Sequence, residues 1–299
     1  MRVVVPVMNR NRGLLTAAVP LLLLGACAQP GAAGDTTPGA PVVESTTASA
    51  DPQVVLRVEY RGGFVPAEFI PSRLPRFTAY ADGRLLSEGP VPLIYPGKAL
   101  PSVQEVRVGL ERVRELIAEA VAAGVKTGAD FGMPGVADAP STRIAVVTAG
   151  GEQVVEVMAL SEARPDDGAL TKEQNAARKR LTGFLGELDS EFAGSTGPAP
   201  KQYQPERVAV LAQPYQDTGD GLGGDPVRWP GPELPGGYLN EQLKINCLTV
   251  EGTAKGAVWA AAGKANERTP WESAGKKWQV RFRPLLPEET GCDSLLRQA

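Results

Sequence analysis

The sequence predicts an α+β protein, and three observations carry that expectation. Two hairpin signals, Asp82-Gly83 and Gly150-Gly151, stand between short alternating apolar runs. Each is followed by a segment whose apolar residues fall at helical spacing. After a Gly/Pro/Ser stretch at residues 193–200, strand and helix signals resume in a shorter region that carries Cys247 and Cys292. The expected organisation is therefore two β-hairpin-plus-helix units over residues 53–195, followed by a smaller α+β domain over residues 201–299.

The first strand starts at Val54, where Val54, Leu56 and Val58 alternate with Val55, Arg57 and Glu59. A hairpin over residues 77–88 follows, with Asp82-Gly83 supplying the positive φ that a tight turn needs. Val106 and Val108 predict a short strand. Leu110, Val113, Leu116, Ile117, Ala120 and Val121 then recur at helical spacing, and Gly124 is the stop signal. The order repeats: runs over 144–147 and 154–158 flank Gly150-Gly151, and a helix begins at about Thr171. Thr171 and Gln174 have capping-box spacing, and Ala177, Leu181, Phe184, Leu185, Leu188 and Phe192 form the apolar stripe. Duplication of one unit and plain α+β alternation both account for the repetition.

In the smaller region, residues 208–211 read as a strand, and a long irregular segment rich in Gly and Pro follows. Residues 243–250 read as another strand. Ala254, Ala257, Val258, Ala261 and Ala265 make a helix stripe of small residues suited to close packing on a sheet. Trp278, Val280 and Phe282 alternate with Lys277, Gln279 and Arg281 in the last strand.

At the N-terminus, Arg10 and Arg12 precede an apolar core from Leu14 to Leu24, which closes on Leu24, Gly25, Ala26 and Cys27. This run resembles the lipobox of bacterial lipoprotein signals. The resemblance implies cleavage before Cys27 and a diacylglyceryl group on its sulfur. The apolar run is shorter than the roughly 20 residues that cross a bilayer, so residues 1–26 are expected to leave as a signal peptide. Met8 is a candidate start, and an ordinary secretory peptide with a chance Cys27 is the alternative. Residues 27–52 are then the lipidated cysteine and a tether of Ala, Gly, Pro, Ser and Thr, with a reach of roughly 25 to 30 Å.

Loss of Arg2, Arg10 and Arg12 leaves 28 basic against 34 acidic residues, a net charge of −6, so no nucleic-acid surface is expected. Aromatic residues make up 6% of the chain, which argues against a broad aromatic platform for sugars. With Cys27 lipidated, Cys247 and Cys292 have only each other in an oxidising compartment, and a disulfide is expected. Closing that loop of about 46 residues removes unfolded-state entropy equivalent to about 4 kcal/mol. No histidine occurs in the 299 residues, which excludes Ser-His-Asp and Cys-His catalysis and imidazole-ligated zinc. Carboxylates, Ser with Lys, and oxygen-ligated metals remain.

None of these yields a catalytic or metal assignment. Ser273 and Lys276 form Ser-x-x-Lys, and Lys126-Thr127-Gly128 resembles the third motif of penicillin-binding proteins and serine β-lactamases. Their chain order is reversed, however, and Ser273 is expected in a turn beside Gly275. Asp217, Asp220 and Asp225 lie among glycines without the spacing of an EF-hand loop, so a flexible loop is expected. Asp130 with Asp138, and Glu187 with Asp189 and Glu191, read as turn and helix-surface carboxylates. Trp259 and Trp278 read as core, and Trp271 as the candidate for exposure. Any partner contact is expected on the long loop over 214–237, presenting Asp217, Asp220, Trp229 and Tyr238.

The strings RLPRFTAYADGRLLSEGPVPLIYPG, VADAPSTRIAVV and TPWESAGKKWQVRFRPLLPEETGC resemble those of uncharacterised actinobacterial secreted lipoproteins, over most of the mature chain. The resemblance implies an exported, lipid-anchored protein and assigns no activity. The expected function is that of a lipoprotein held to the outer face of the cytoplasmic membrane, without cofactor. Its role would be non-catalytic binding or envelope support, with an envelope protein or cell-wall partner. The alternative is a cell-wall-active hydrolase or acyltransferase using Ser or carboxylates.

Overall fold

The computed structural model of the chain describes residues 52–296, apart from 166, 195 and 196. The expected signal peptide, Cys27 and the tether up to residue 51 lie outside the described residues. What is described is mixed α+β, dominated by two sheets and with few helices.

The first sheet starts with β1 (Val54–Gly62), passes a 3₁₀ turn (Ala67–Ser72) and continues as the hairpin of β2 (Phe77–Tyr80) and β3 (Arg84–Glu88). Gly83 takes φ +88° in that turn, and the Gly109 backbone lies 3.1 Å from where a Cβ would stand, so any other residue would be strained there. Next come β4 (Val103–Arg107), α1 (Leu110–Ala122), and the hairpin of β5 (Pro140–Thr148) and β6 (Gly151–Met158). After α2 (Lys172–Ser190), β7 (Lys201–Gln202) closes the order β6-β5-β1-β2-β3-β4-β7, antiparallel throughout.

The helices form where the spacing places them. Thr171 caps α2 by accepting the Gln174 N–H, and the Gln174 side chain accepts the Thr171 N–H in return. Val113, Leu116 and Ala120 of α1 join Leu181, Phe184, Leu185 and Leu188 of α2 in one core with Leu56, Val58, Ile144 and Val146. Burying each such aliphatic side chain contributes about 1.5–3 kcal/mol. Arg178 interrupts the apolar stripe of α2 yet is buried, because its guanidinium donates to the carbonyls of Phe131, Met158 and Ala159 at 3.2, 2.7 and 2.6 Å.

The second sheet is built from β8 (Arg207–Pro214), β9 (Val227–Arg228), β10 (Gly237–Asn240), β11 (Ile245–Glu251), β12 (Trp271–Ser273) and β13 (Lys276–Pro284). Their order is β10-β11-β8-β13-β12-β9, antiparallel except for the β12–β9 edge. Alternation sorts the side chains of β8. Val208, Val210 and Ala212 pack beneath α3 (Gly252–Ala262), while Ala209 and Leu211 face the opposite core with Ile245, Cys247, Leu285 and Leu295. Cys247 on β11 is bonded to Cys292, which precedes the short α4 (Asp293–Leu296); their Cα atoms are 6.0 Å apart.

Two tryptophans depart from expectation. Trp271 is 1% exposed, not a surface candidate, because its three-residue strand is paired on both sides, with β13 and with β9. Trp229 is not presented by the long loop: its ring meets Trp271 edge-on at 5.5 Å and lies over Phe282 at 6.2 Å.

A segment after β13 fastens one sheet to the other. Tyr203 donates to the Leu285 carbonyl at 2.9 Å, Tyr80 donates to Glu288 at 2.6 Å, and Arg57 pairs with the same carboxylate. Arg283, fully buried, pairs with Glu289 at 2.9 Å and donates to the Arg73 carbonyl at 3.0 Å. Burial lowers the Arg283 pKa, and Glu289 opposes that. Both sheets belong to one compact unit, and no helix among the described residues is long and apolar enough to cross a membrane.

Candidate functional site

Between β3 and β4 the chain runs Gly89-Pro-Val-Pro-Leu-Ile-Tyr-Pro-Gly-Lys-Ala-Leu-Pro-Ser102. Its prolines fix φ and remove donors, so an apolar run that would otherwise read as a strand becomes a loop. The loop is tied at its base, where the Gly89 N–H donates to the Ser102 carbonyl at 2.9 Å. Its descending leg is fastened to the connection after α3. Ala99 donates to Ala265 at 3.1 Å, Glu267 to Gly97 at 2.9 Å, and the Gly97 N–H donates to the Glu267 carboxylate at 3.1 Å. The tip is left in solvent: Leu93 is fully exposed, and Val91, Ile94 and Tyr95 are more than half exposed.

Two cavities adjoin this loop. One, about 550 Å³, is lined chiefly by Val91, Ile94, Leu100 and the half-buried Trp259. The other, about 380 Å³, is polar and aromatic. Phe69 comes to it from the 3₁₀ turn, Tyr95 from the loop, Tyr215, Gln216 and Thr218 from the segment after β8, and Gln279 and Arg281 from the polar face of β13. Glu267 lines both cavities.

The two arginines of the polar cavity are held differently. Arg268 pairs with Asp220 at 2.7 Å, donates to the Tyr95 hydroxyl at 3.1 Å and also bonds Thr218. Asp220 in turn accepts the Leu222 N–H and the Thr218 hydroxyl, each at 2.9 Å, and the first of these bonds chiefly holds its carboxyl below the ordinary range. Arg281 lies over the Phe69 ring at 3.4 Å, and its Nε is buried without a hydrogen-bond partner. No carboxylate among the described residues comes within ion-pair distance of it. Burial lowers its pKa, with the charges of Glu68 and Glu267 pulling the other way. A guanidinium stays charged under these conditions, so the buried Nε–H is an unsatisfied donor beside the cavity.

The residues singled out from sequence lie elsewhere or are already engaged. Ser273 ends β12, its hydroxyl oxygen accepts the Leu234 N–H at 3.1 Å, and Lys276 is its cross-strand neighbour with no hydrogen bond between their side chains. Lys126-Thr127-Gly128 lies in the loop after α1, where the Thr127 N–H donates to Gln153 and its hydroxyl accepts the Val154 N–H, clasping the end of α1 to β6. Asp130 accepts from Gly132 and Gln174, which lowers its pKa, while the Asp138 carbonyl accepts the Phe64 N–H. Asp189 pairs with Arg76 and Glu191 with Arg112, each at 2.7 Å. Asp217 caps the Gly219 N–H at 2.9 Å, and among the described residues no three of His, Cys, Asp and Glu are grouped to hold a metal. Tyr238 does stand on the surface, as expected of it.

No protein-family model, curated protein or solved structure matches this chain.

Sequence reasoning missed Arg281, Gln279 and the loop around Tyr95. The first two appear only as the polar alternates of a strand, a pattern every half-buried strand shows. The loop carried a usable signal: four prolines interrupting an apolar run mark side chains that no sheet can cover. Chemically the polar cavity offers two guanidiniums, one of them paired with Asp220, the Glu267 carboxylate, two amides, two phenols and the Phe69 ring beneath Arg281. Its one aliphatic hydroxyl, on Thr218, both donates to Asp220 and accepts from Arg268.

Proposed function

We propose that the protein is an extracytoplasmic lipoprotein, anchored through Cys27 to the outer face of the cytoplasmic membrane, that binds an envelope component without turning it over. The two hairpin-plus-helix units over 53–195 serve as a rigid base, and the smaller disulfide-linked region over 201–299 supplies most of the polar lining. The observation that carries this reading is an arginine lacking a protein acceptor in a cavity beside a fastened, outward-facing apolar loop. Covering a large apolar side chain gains about 1.5–3 kcal/mol, so Leu93 and Ile94 favour a bound partner. The loop is already ordered by its base and leg, which reduces the entropy lost on binding.

The test is sedimentation of the purified protein with isolated cell-wall material. Wild type should be retained, and Leu93→Ser combined with Ile94→Ser should reduce retention roughly fivefold or more, as expected for central apolar anchors. Both side chains are exposed, so the melting temperature of the variant should stay within the small range typical of surface substitutions. Absence of wild-type retention would overturn the binding reading, and covalent labelling of Ser273 by a fluorescent penicillin would establish the hydrolase or acyltransferase alternative in its place.

A further inference from the structure

The binding reading leaves open which part of an envelope component is gripped, and the cavity of about 550 Å³ between the loop and α3 narrows it. We infer that this cavity takes an uncharged acyl chain, lying between Val91, Ile94 and Leu100 of the loop and the indole of Trp259.

Three features converge on that class, and the inference rests on the binding reading above. Hydrogen bonding comes first. Pro90, Pro92 and Pro101 bring residues without an N–H into the lining, and the N–H groups of Ile94, Gly97 and Gly263 are already engaged by Pro92, Glu267 and Trp259. A wall so short of backbone donors is unsuited to an added peptide strand and suited to a guest that asks for no hydrogen bonds along its length. Charge comes second. Lys98 and Glu267 are the charged residues of the lining, one of each sign, so an uncharged guest leaves their balance undisturbed. Shape is third. Leu93 projects into solvent, whereas Val91 and Ile94 line a hollow that is already formed, because Ala99 is bonded to Ala265 and Gly97 to Glu267. Its volume is within the range of small-molecule sites, and a flexible chain fills such a hollow where a flat protein surface does not. The Ser102 hydroxyl and the Gln202 amide, also in the lining, suit an ester or hydroxyl at the polar end of the chain.

The experiment titrates the purified protein with monohexanoylglycerol, monooctanoylglycerol, sodium octanoate and glycerol, all below micelle-forming concentrations, following heat and the methyl resonances of Leu93, Ile94 and Leu100. Monooctanoylglycerol should bind roughly tenfold more tightly than monohexanoylglycerol, since each buried CH₂ gains about a factor of four, and glycerol alone should not bind. The Ile94 and Leu100 methyl signals should shift more than those of Leu93, which lies outside the lining. Gly263→Leu should weaken monooctanoylglycerol roughly tenfold or more. Gly263 has φ −63°, which any residue adopts, and a Cβ there would stand 3.9 Å from Leu100, so the added side chain occupies the hollow. Equal affinity for the two chain lengths overturns the inference, and so does octanoate binding more tightly than monooctanoylglycerol, which would mean that a carboxylate is recognised. A methyl shift confined to Leu93 in wild type also overturns it, a readout that does not depend on the variant folding. If monooctanoylglycerol fails to bind while the protein still sediments with cell-wall material, the acyl-chain assignment falls alone; if both fail, the binding reading falls with it.

Discussion

Arg268 and Arg281 share a cavity, and their neighbours give them different work. Arg268 is a positioning residue, because Asp220, Thr218 and Tyr95 hold it and through it the wall formed by the segment after β8. Asp220 is the titratable part of this clamp. Its folded pKa lies below the ordinary 3.8, chiefly through the Leu222 N–H and then through Arg268 and Thr218. A lowered carboxyl pKa means the clamp is complete above the ordinary carboxylate range and is lost as pH falls through the folded value. The Asp220 carboxyl carbon, followed by NMR, should therefore titrate below 3.8, and the Leu222 amide signal should change in the same step. Titration at or above the ordinary value would show that the clamp does not form in solution.

At the scale of elements, what sequence reveals depends on length. The α1 stripe, the Thr171 capping box and the two hairpin turns each repeat a pattern over enough residues to be read, and the structure has helices and turns at those positions. Strands β9, β10 and β12 have two to four residues and carry no such pattern. Their absence from the sequence reading explains why Trp271 and Trp229 were expected outside the core. Arg178 was hidden for another reason: a buried arginine on a helix is legible only through the three carbonyls it meets in space. The disulfide was legible by elimination, and it joins the middle of β11 to the start of α4, where Thr249 accepts the Cys292 N–H at 3.1 Å. Cys292→Ala should lower the unfolding free energy by about 2–5 kcal/mol in chemical denaturation. An unchanged midpoint would mean that the tail's packing through Leu295 holds it without the bond.

For the whole molecule, the segment over 284–289 decides the arrangement. It brings Glu288 to Arg57 and Tyr80 of the first sheet and buries Arg283 against Glu289, and that junction sets the loop between β3 and β4 beside the polar face of β13. The candidate binding face is thus assembled from segments far apart in sequence, and no local pattern could have announced it. The N-terminal run ending in Cys27 is the opposite case, wholly local, and on the proposed reading it would set where such a face works. Intact mass spectrometry of the protein recovered from membranes tests that claim most directly. The account predicts a mature chain starting at Cys27, heavier by a diacylglyceryl group and lighter by two hydrogens for the Cys247–Cys292 bond. A chain that starts elsewhere, or begins at Cys27 with its sulfur unmodified, would contradict it.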